Sequence, residues 1–219
     1  MPDRLRPATP RGTANGDDEA ERSFARCASL LRAGDPKAAA TLSRCIERHP
    51  DHAGGWRLLG DTLADLKKFE AALVCYERSR RGAPTRDAAL RVGTTLQALG
   101  RARAARIAFA EAAALDPASV RARFLEGVAA QDAGDFAGAA EAYANTLALD
   151  ASLGEAAFNL ATVRQELGDL DGACRAYATA ARLRPDGFGR AAQALSAAST
   201  GELWLDLGAL RRRLDGLPA

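Results

Sequence analysis

Hydrophobic residues along this chain follow a helical period, and one pair of residues recurs at nearly constant spacing. An alanine is followed four residues later by an aromatic residue at Ala72 and Tyr76, Ala105 and Phe109, Ala139 and Tyr143, and Ala173 and Tyr177. The four alanines are separated by 33, 34 and 34 residues. Such a period indicates a solenoid, in which each helix pair buries its apolar face against its neighbours. No segment shows the alternation of a β-strand, so the sequence predicts an all-α fold.

Small residues and turn residues recur in the same register. A small residue lies twelve positions before each alanine, at Gly60, Gly93, Gly127 and Ala161. Seven residues after these stand Lys67, Gly100, Gly134 and Gly168. The helix-stopping prolines are Pro84, Pro117 and Pro185, with Ala151 in the equivalent position once. Close helix crossings require small residues, glycine suits the left-handed residue that ends a helix, and proline cannot continue one. We therefore expect all these residues to have core and turn roles.

The first clear repeat also contains Trp56, Leu59 and Leu63 around Gly60. With the alanine–aromatic pair and the proline, this arrangement resembles the tetratricopeptide repeat, whose pattern runs W-x-x-L-G-x-x-Y, then A-x-x-x-F/Y, then P. The resemblance covers residues 53–187 and implies a right-handed α-solenoid of stacked helix–turn–helix repeats. It also implies that the first helix of each pair lines a concave face and the second a convex face.

The repeat register predicts the domain organisation. Four repeats are expected at residues 53–85, 86–119, 120–153 and 154–187. The flanking regions are expected to be a disordered tail (1–18), a degenerate repeat-like helix pair (19–52) and a degenerate C-terminal helix pair that caps the array (188–219).

Both flanking helix pairs depart from the motif. In the N-terminal pair, Ala39 is interpreted as the small residue and Ser43 as the replacement for the aromatic. At the other end, a helix is expected from Phe188 to Ala198, followed by a last helix. A leucine stripe on one face of that last helix predicts a lid on the solenoid; its members are Leu203, Leu207, Leu210 and Leu214. Trp204 and Leu205 lie off this stripe and are interpreted as cap packing or as a separate docking patch.

Charge and composition narrow the class of protein. The formal net charge is +2, with 30 basic and 28 acidic residues, so the balance does not favour nucleic-acid binding. No apolar run approaches the ~18–20 residues of a membrane span. The N-terminal segment also lacks the apolar stretch of a signal peptide. We expect a cytoplasmic protein that binds neither nucleic acid nor membrane, and its alanine and arginine bias suggests a bacterial source.

Candidate catalytic and metal-binding residues are few. The cysteines (Cys27, Cys45, Cys75 and Cys174) form no C-x-x-C pair and are expected to be free structural thiols. The two histidines, His49 and His52, flank Pro50 and Asp51 and are expected to be solvated turn residues. The chain contains none of the nucleophile, phosphate-binding or zinc motifs of common enzymes. The sequence therefore predicts a non-enzyme with no catalytic residue, cofactor or metal site.

The resemblance places the candidate binding site on the first helices. In the family register, the side chains expected in the groove are Arg57, Asp61, Leu90, Arg91, Arg121, Phe124, Gln131, Phe158, Asn159 and Gln165. Large apolar side chains beside arginines and amides suit an extended or helical peptide. The alternative is that Phe124 and Phe158 only pack against neighbouring first helices.

One family sub-type holds the C-terminal carboxylate of chaperones with asparagine, lysine and arginine side chains. Here Asp61, Arg91 and Leu125 stand where that sub-type has two asparagines and an arginine, so the carboxylate clamp is incomplete.

Three functions fit these patterns. The favoured one is a protein–protein interaction adaptor or scaffold that holds a peptide segment of a partner protein. The second is an accessory region or subunit that acts with a glycosyltransferase, sulfotransferase or methyltransferase. The third is a structural protein that self-associates.

Overall fold

The computed structural model of the protein describes residues 14–183, 187–197 and 207–217. The chain divides into two compact units, residues 1–84 (unit 1) and 85–219 (unit 2). Every regular element in the described ranges is an α-helix. The predicted all-α fold of packed helix pairs is confirmed. None of these helices is long and apolar enough to cross a membrane.

Unit 1 contains two helix pairs: α1 (Ala14–Arg32) with α2 (Ala38–Arg48), and α3 (Ala53–Asp65) with α4 (Phe69–Gly82). The two helices of each pair pack together, and α3 also contacts α1 and α2. The core of the first pair includes Phe24, Cys27, Leu42, Cys45 and Ile46.

Unit 2 contains eight described helices: α5 (Arg86–Ala98), α6 (Ala102–Leu115), α7 (Val120–Asp132), α8 (Phe136–Leu149), α9 (Gly154–Glu166), α10 (Leu170–Leu183), α11 (Gly187–Ala197) and α12 (Leu207–Asp215). Each helix from α5 to α10 packs against the next one in the chain, and α12 packs against α10 and α11. The helix pairs α3–α4, α5–α6, α7–α8 and α9–α10 span residues 53–82, 86–115, 120–149 and 154–183.

The recurring glycines accommodate the recurring aromatic rings. A Cβ atom added to Gly127 would lie 2.7 Å from Cδ1 of Tyr143, and one added to Gly60 would lie 2.6 Å from Cε1 of Tyr76. Such distances are too short for real contacts, so each ring lies directly over the glycine of its own helix pair. The small residue is therefore required by the aromatic side chain of the second helix.

Turns between paired helices use the left-handed conformation. Gly34, Gly100, Gly134 and Gly168 have φ between 67° and 79°, and Lys67 adopts the same conformation with φ of 57°. Added Cβ atoms on these four glycines would meet nothing within 4 Å. Backbone conformation, and not space, therefore selects glycine at this position, and Lys67 is the exception.

The register of the N-terminal helix pair differs by one residue from the sequence interpretation. Ala38 and Leu42 are buried, with 3% and 1% of their surfaces exposed, whereas Ala39 and Ser43 are exposed. Leu42, and not Ser43, therefore fills the aromatic position, because the buried face of α2 must carry the apolar side chains.

The helix α1 begins at Ala14, so residues 14–18 are helical, although they were expected to belong to the tail.

At the C-terminal end, Leu210 and Leu214 of α12 are buried in the same core cluster as Tyr177. This burial agrees with the expected packing of the leucine stripe. Pro185, Leu203, Trp204 and Leu205 lie outside the described residues.

Candidate peptide-binding face

The first helices of unit 2 present a row of partly exposed side chains in equivalent positions. We call the partly exposed side chains of α5, α7 and α9 the first-helix face. The starts of α5 and α7 are fixed by N-terminal caps. Thr85 accepts a hydrogen bond from the backbone N–H of Ala88 at 3.2 Å, and Ser119 accepts one from Ala122 at 3.3 Å.

Phe124 and Phe158 occupy equivalent positions on α7 and α9, and both are half-buried. Their ring centroids lie 5.8 Å from that of Tyr143 and 5.5 Å from that of Tyr177, respectively. Each phenylalanine thus rests on the tyrosine of its own repeat, which holds the ring in place while part of it stays accessible. The two interpretations of these rings, packing and partner contact, are both compatible with this geometry.

The buried tyrosines direct their hydroxyl groups to glutamine and asparagine side chains of the first helices. Tyr143 donates a hydrogen bond to Oε1 of Gln131 at 3.0 Å and accepts one from Nδ2 of Asn159 at 3.4 Å. Tyr177 donates to Oε1 of Gln165, also at 3.0 Å. Burial raises the pKa of both tyrosines, so the hydroxyls remain protonated donors at neutral pH.

The second repeat lacks this hydroxyl because it carries Phe109. Its glutamine, Gln97, donates instead to Oδ2 of Asp132 on α7 at 3.2 Å. The loss of one hydroxyl thus redirects the glutamine into a contact between repeats.

The two expected arginines of unit 2 have different environments. Nε of Arg91 donates to Oδ2 of Asp87 at 3.0 Å, one helical turn away. Arg121 is exposed, and the described part of the chain contains no ion pair to it. Arg121 is therefore the more accessible cation for a charged partner.

Two residues expected in the groove are part of the core. Leu90 has 6% of its surface exposed and Gln165 has 2%. They are not available for contact with a partner. The prediction that they lie in the groove is therefore wrong. Leu90 shares the register of Phe124 but is covered, and Gln165 is held inside by Tyr177.

In unit 1, Arg57 and Asp61 form an ion pair on α3 at 3.2 Å between Nη1 and Oδ2. Asp61 also accepts a hydrogen bond from the Tyr76 hydroxyl at 2.8 Å. This carboxylate anchors the tyrosine in the way that Gln131 does in unit 2.

The structure adds residues that the sequence interpretation missed. The guanidinium carbon of Arg190 on α11 lies 4.2 Å from the centroid of the Phe158 ring, a cation–π contact that covers one face of that ring. The repeat motif could not indicate Arg190, because α11 lies beyond the last full repeat. Phe124 is consequently the better candidate for an apolar anchor.

His52 is not the solvated turn residue expected from the sequence. Its Nδ1 accepts a hydrogen bond from the backbone N–H of Gly55 at 3.0 Å, which caps α3. Its ring stacks on Phe24 with a centroid separation of 4.6 Å, and 15% of the side chain is exposed. Among the described residues, no cluster of three or more His, Cys, Asp or Glu side chains could hold a metal ion.

Comparison with solved structures shows the same fold. The chain resembles MamA (residues 41 to the end) from Desulfovibrio magneticus RS-1, with 21% identity and a TM-score of 0.65 over 76% of this chain and 95% of that one. It also resembles YrrB, described as a TPR protein with an unusual peptide-binding site, with 18% identity and a TM-score of 0.72 over 83% and 94% of the two chains. A search of curated proteins found no significant match.

The tetratricopeptide repeat family model matches residues 28–87, 90–152 and 125–188. These matches include the glycine and aromatic pairs whose contacts are described above. They span most of the described helices, and the solved neighbours share the same arrangement of helix pairs. The protein therefore belongs to the tetratricopeptide repeat family.

Proposed function

We propose that the protein is a non-catalytic adaptor that holds a short peptide segment of a partner protein on the first-helix face of unit 2. Membership of the family supports a role in protein–protein interaction. The observation that carries the finer proposal is Phe124, a half-exposed ring held by Tyr143 next to polar groups. Among these are the carboxamides of Gln131 and Asn159, both of which hydrogen-bond to the hydroxyl of Tyr143.

The size of this face limits the length of the segment. Adjacent packed elements in helical arrays are about 10 Å apart, so three first helices give a floor of roughly 20 Å. An extended chain advances about 3.3 Å per residue. The face of unit 2 alone therefore accommodates about six residues of an extended peptide.

The side chains of the face define the chemistry of the segment. A large apolar side chain would pack on Phe124, and backbone amides of the peptide would bond to Gln131 and Asn159. An acidic residue would pair with Arg121 more readily than with Arg91, because Asp87 already neutralises Arg91. A binding site of this kind concentrates its affinity in one aromatic residue and one arginine.

A displayed library of random peptides, selected on the immobilised protein, tests this proposal. The selected peptides are then measured by fluorescence polarisation against Phe124→Ala and Arg121→Glu. We expect each change to weaken binding about tenfold or more, since central interface residues contribute ≥ ~1.4 kcal/mol. The effect of Arg121→Glu should decrease as the salt concentration rises.

Matched control variants lie on the second helix α6, where Ile107 is 67% exposed and Arg103 is also exposed. Ile107→Ala and Arg103→Glu should leave the peptide affinities unchanged. Peptides that bind all four variants equally, or that lose affinity only for the α6 variants, would place the binding surface elsewhere. The two alternative functions, an accessory role beside a transferase enzyme and self-association, stay predictions. Measuring the oligomeric state of the same preparations tests self-association.

A further inference from the structure

Outside the first-helix face, two cysteines of unit 1 are brought together although they are eighteen residues apart in the chain. Sγ of Cys27 on α1 lies 3.4 Å from Sγ of Cys45 on α2. Both thiols are free, and both are buried. A disulfide needs an S–S distance of about 2.05 Å, so the two sulfur atoms would have to move closer by about 1.4 Å.

Cys45 also borders a cleft of about 510 Å³ between α1 and α2. Arg26, Lys37, Arg44 and Arg48 line this cleft, with Asp35 as its carboxylate and Ser23 and Thr41 as hydroxyl groups. Four cations against one carboxylate give the cleft a positive potential, which concentrates small anions near its walls. Cys27 does not line it, so the two thiols differ in access.

We propose that the Cys27–Cys45 pair is a thiol–disulfide exchange site that reacts with small anionic disulfides entering through this basic cleft. The product is an intramolecular disulfide that joins α1 to α2 within unit 1. This inference is independent of the function proposed for the first-helix face in unit 2.

The reaction has two balanced steps. The Cys45 thiolate attacks one sulfur of the anionic disulfide, which forms a mixed disulfide and releases one thiolate of the reagent. Cys27 then loses its proton and attacks Sγ of Cys45, which forms the internal disulfide and releases the second thiolate. The protein loses two protons and two electrons overall, and one reagent disulfide takes up two of each and becomes two thiols.

The environment of Cys27 slows the second step at neutral pH. Burial, followed by the neighbouring Cys45, raises the pKa of Cys27 to about 11, and the positive charge of Arg26 lowers it in part. Few Cys27 thiolates exist at neutral pH, so the mixed disulfide on Cys45 should accumulate before the ring closes.

Oxidised glutathione, which is anionic, is the probe for the test. The reduced full-length protein is incubated with it at mildly alkaline pH, quenched with acid, unfolded and alkylated, and its cysteines are mapped by mass spectrometry. We expect a glutathione adduct on Cys45 at early times and a Cys27–Cys45 disulfide later, with Cys75 and Cys174 still alkylated. Absence of the internal disulfide, or earlier reaction of Cys75 or Cys174, would overturn the proposal.

Single cysteine variants separate the two roles. Cys27→Ala should trap the glutathione adduct on Cys45, and Cys45→Ala should prevent modification of Cys27. Circular dichroism checks that each variant is helical. The order in which products form in the unsubstituted protein shows independently which cysteine reacts first. An adduct on Cys27 in Cys45→Ala at the unmodified rate would contradict the access argument.

Charge reversal tests the role of the cleft. Arg44→Glu with Arg48→Glu should slow the reaction with oxidised glutathione by about fivefold or more at low salt and should accelerate the reaction with cystamine, a cationic disulfide. Arg103→Glu with Arg175→Glu changes the net charge equally at two exposed positions of unit 2 and should leave both rates unchanged. If the two double variants changed the exchange rates equally, the cleft would not select the reagent.

Discussion

The helix pairs α1–α2 and α7–α8 fill equivalent positions with different residues. In α7–α8, Gly127 lies under the ring of Tyr143. In α1–α2, Cys27 precedes the turn residue Gly34 by the same seven residues that separate Gly127 from Gly134, and Leu42 takes the place of the ring. Cys27 and Leu42 have 0% and 1% of their surfaces exposed. The larger residue on the first helix (Cys27 in place of glycine) is therefore balanced by a smaller residue on the second helix (Leu42 in place of tyrosine).

This exchange also changes what each pair can do. The tyrosine carries a hydroxyl from the core to the first-helix face, where it orders Gln131 and Asn159. Leu42 has no polar end, so the α1–α2 core stays apolar apart from its two thiols. The same packing position thus carries a hydroxyl bonded to two carboxamides in one pair and lies in a core with two adjacent thiols in the other.

The largest expected effect comes from adding volume at the glycine. Gly127→Leu should destabilise the protein by about 3 kcal/mol, because the new side chain would overlap the ring of Tyr143 in a well-packed core. The free energy of unfolding is measured by urea denaturation followed by circular dichroism. Ala137→Leu, on an exposed position of α8, is the control and should change stability by less than about 0.5 kcal/mol.

The compensation itself is tested by converting one pair into the other. Gly127→Cys combined with Tyr143→Leu reproduces the residues of α1–α2, so it should cost less than the sum of the two single changes. Additive losses would show that volume balance does not explain the difference between the two pairs.

A smaller effect is expected when only the hydroxyl is removed. Tyr177→Phe takes a hydrogen bond away from the buried Gln165 and should cost about 1–3 kcal/mol. Tyr143→Phe should cost only about 0.5–1.5 kcal/mol, because the partly exposed Gln131 can bond to water instead. Equal losses in urea denaturation would contradict the argument from burial.

These hydroxyls also predict how stability depends on pH. Burial raises the pKa of Tyr143 and Tyr177 in the folded protein above the ordinary value of 10.0. The folded state then retains protons that the unfolded state releases, so this contribution is complete below about pH 10 and declines as the pH rises above it. Denaturation series between neutral pH and pH 11 should show a loss that is reduced in the double variant Tyr143→Phe with Tyr177→Phe. An identical loss in that variant would assign the effect to other groups.

Much of the fold could be predicted because its determinants repeat. Glycine, aromatic and turn residues recur at fixed spacing, and each acts within its own helix pair, as Gly127 and Tyr143 do. The binding face was harder to predict, since exposure depends on the neighbouring side chains. Leu90 and Phe124 share a register, but only Leu90 is fully covered. The one-residue shift to Ala38 and Leu42 shows why degenerate pairs are the hardest, because two adjacent alanines fit the motif equally well.

The smallest expected effect concerns the turn that both kinds of helix pair share. Lys67 holds the left-handed conformation that glycine holds at Gly34 and Gly134. A side chain in that conformation strains the folded state by roughly 1–2 kcal/mol. Glycine removes this strain, but its greater conformational entropy in the unfolded chain offsets part of the gain. Lys67→Gly should therefore stabilise the protein by about 0.5–1 kcal/mol, measured by urea denaturation.

The reverse change, Gly134→Lys, provides the matched control. A Cβ atom at Gly134 meets nothing within 4 Å, so the substitution adds backbone strain without a steric clash. It should destabilise the protein by about 1 kcal/mol, the opposite sign to Lys67→Gly. If both changes destabilised it, contacts of the Lys67 side chain would outweigh its backbone strain, and the turn of α3–α4 would differ from the glycine turns in more than conformation.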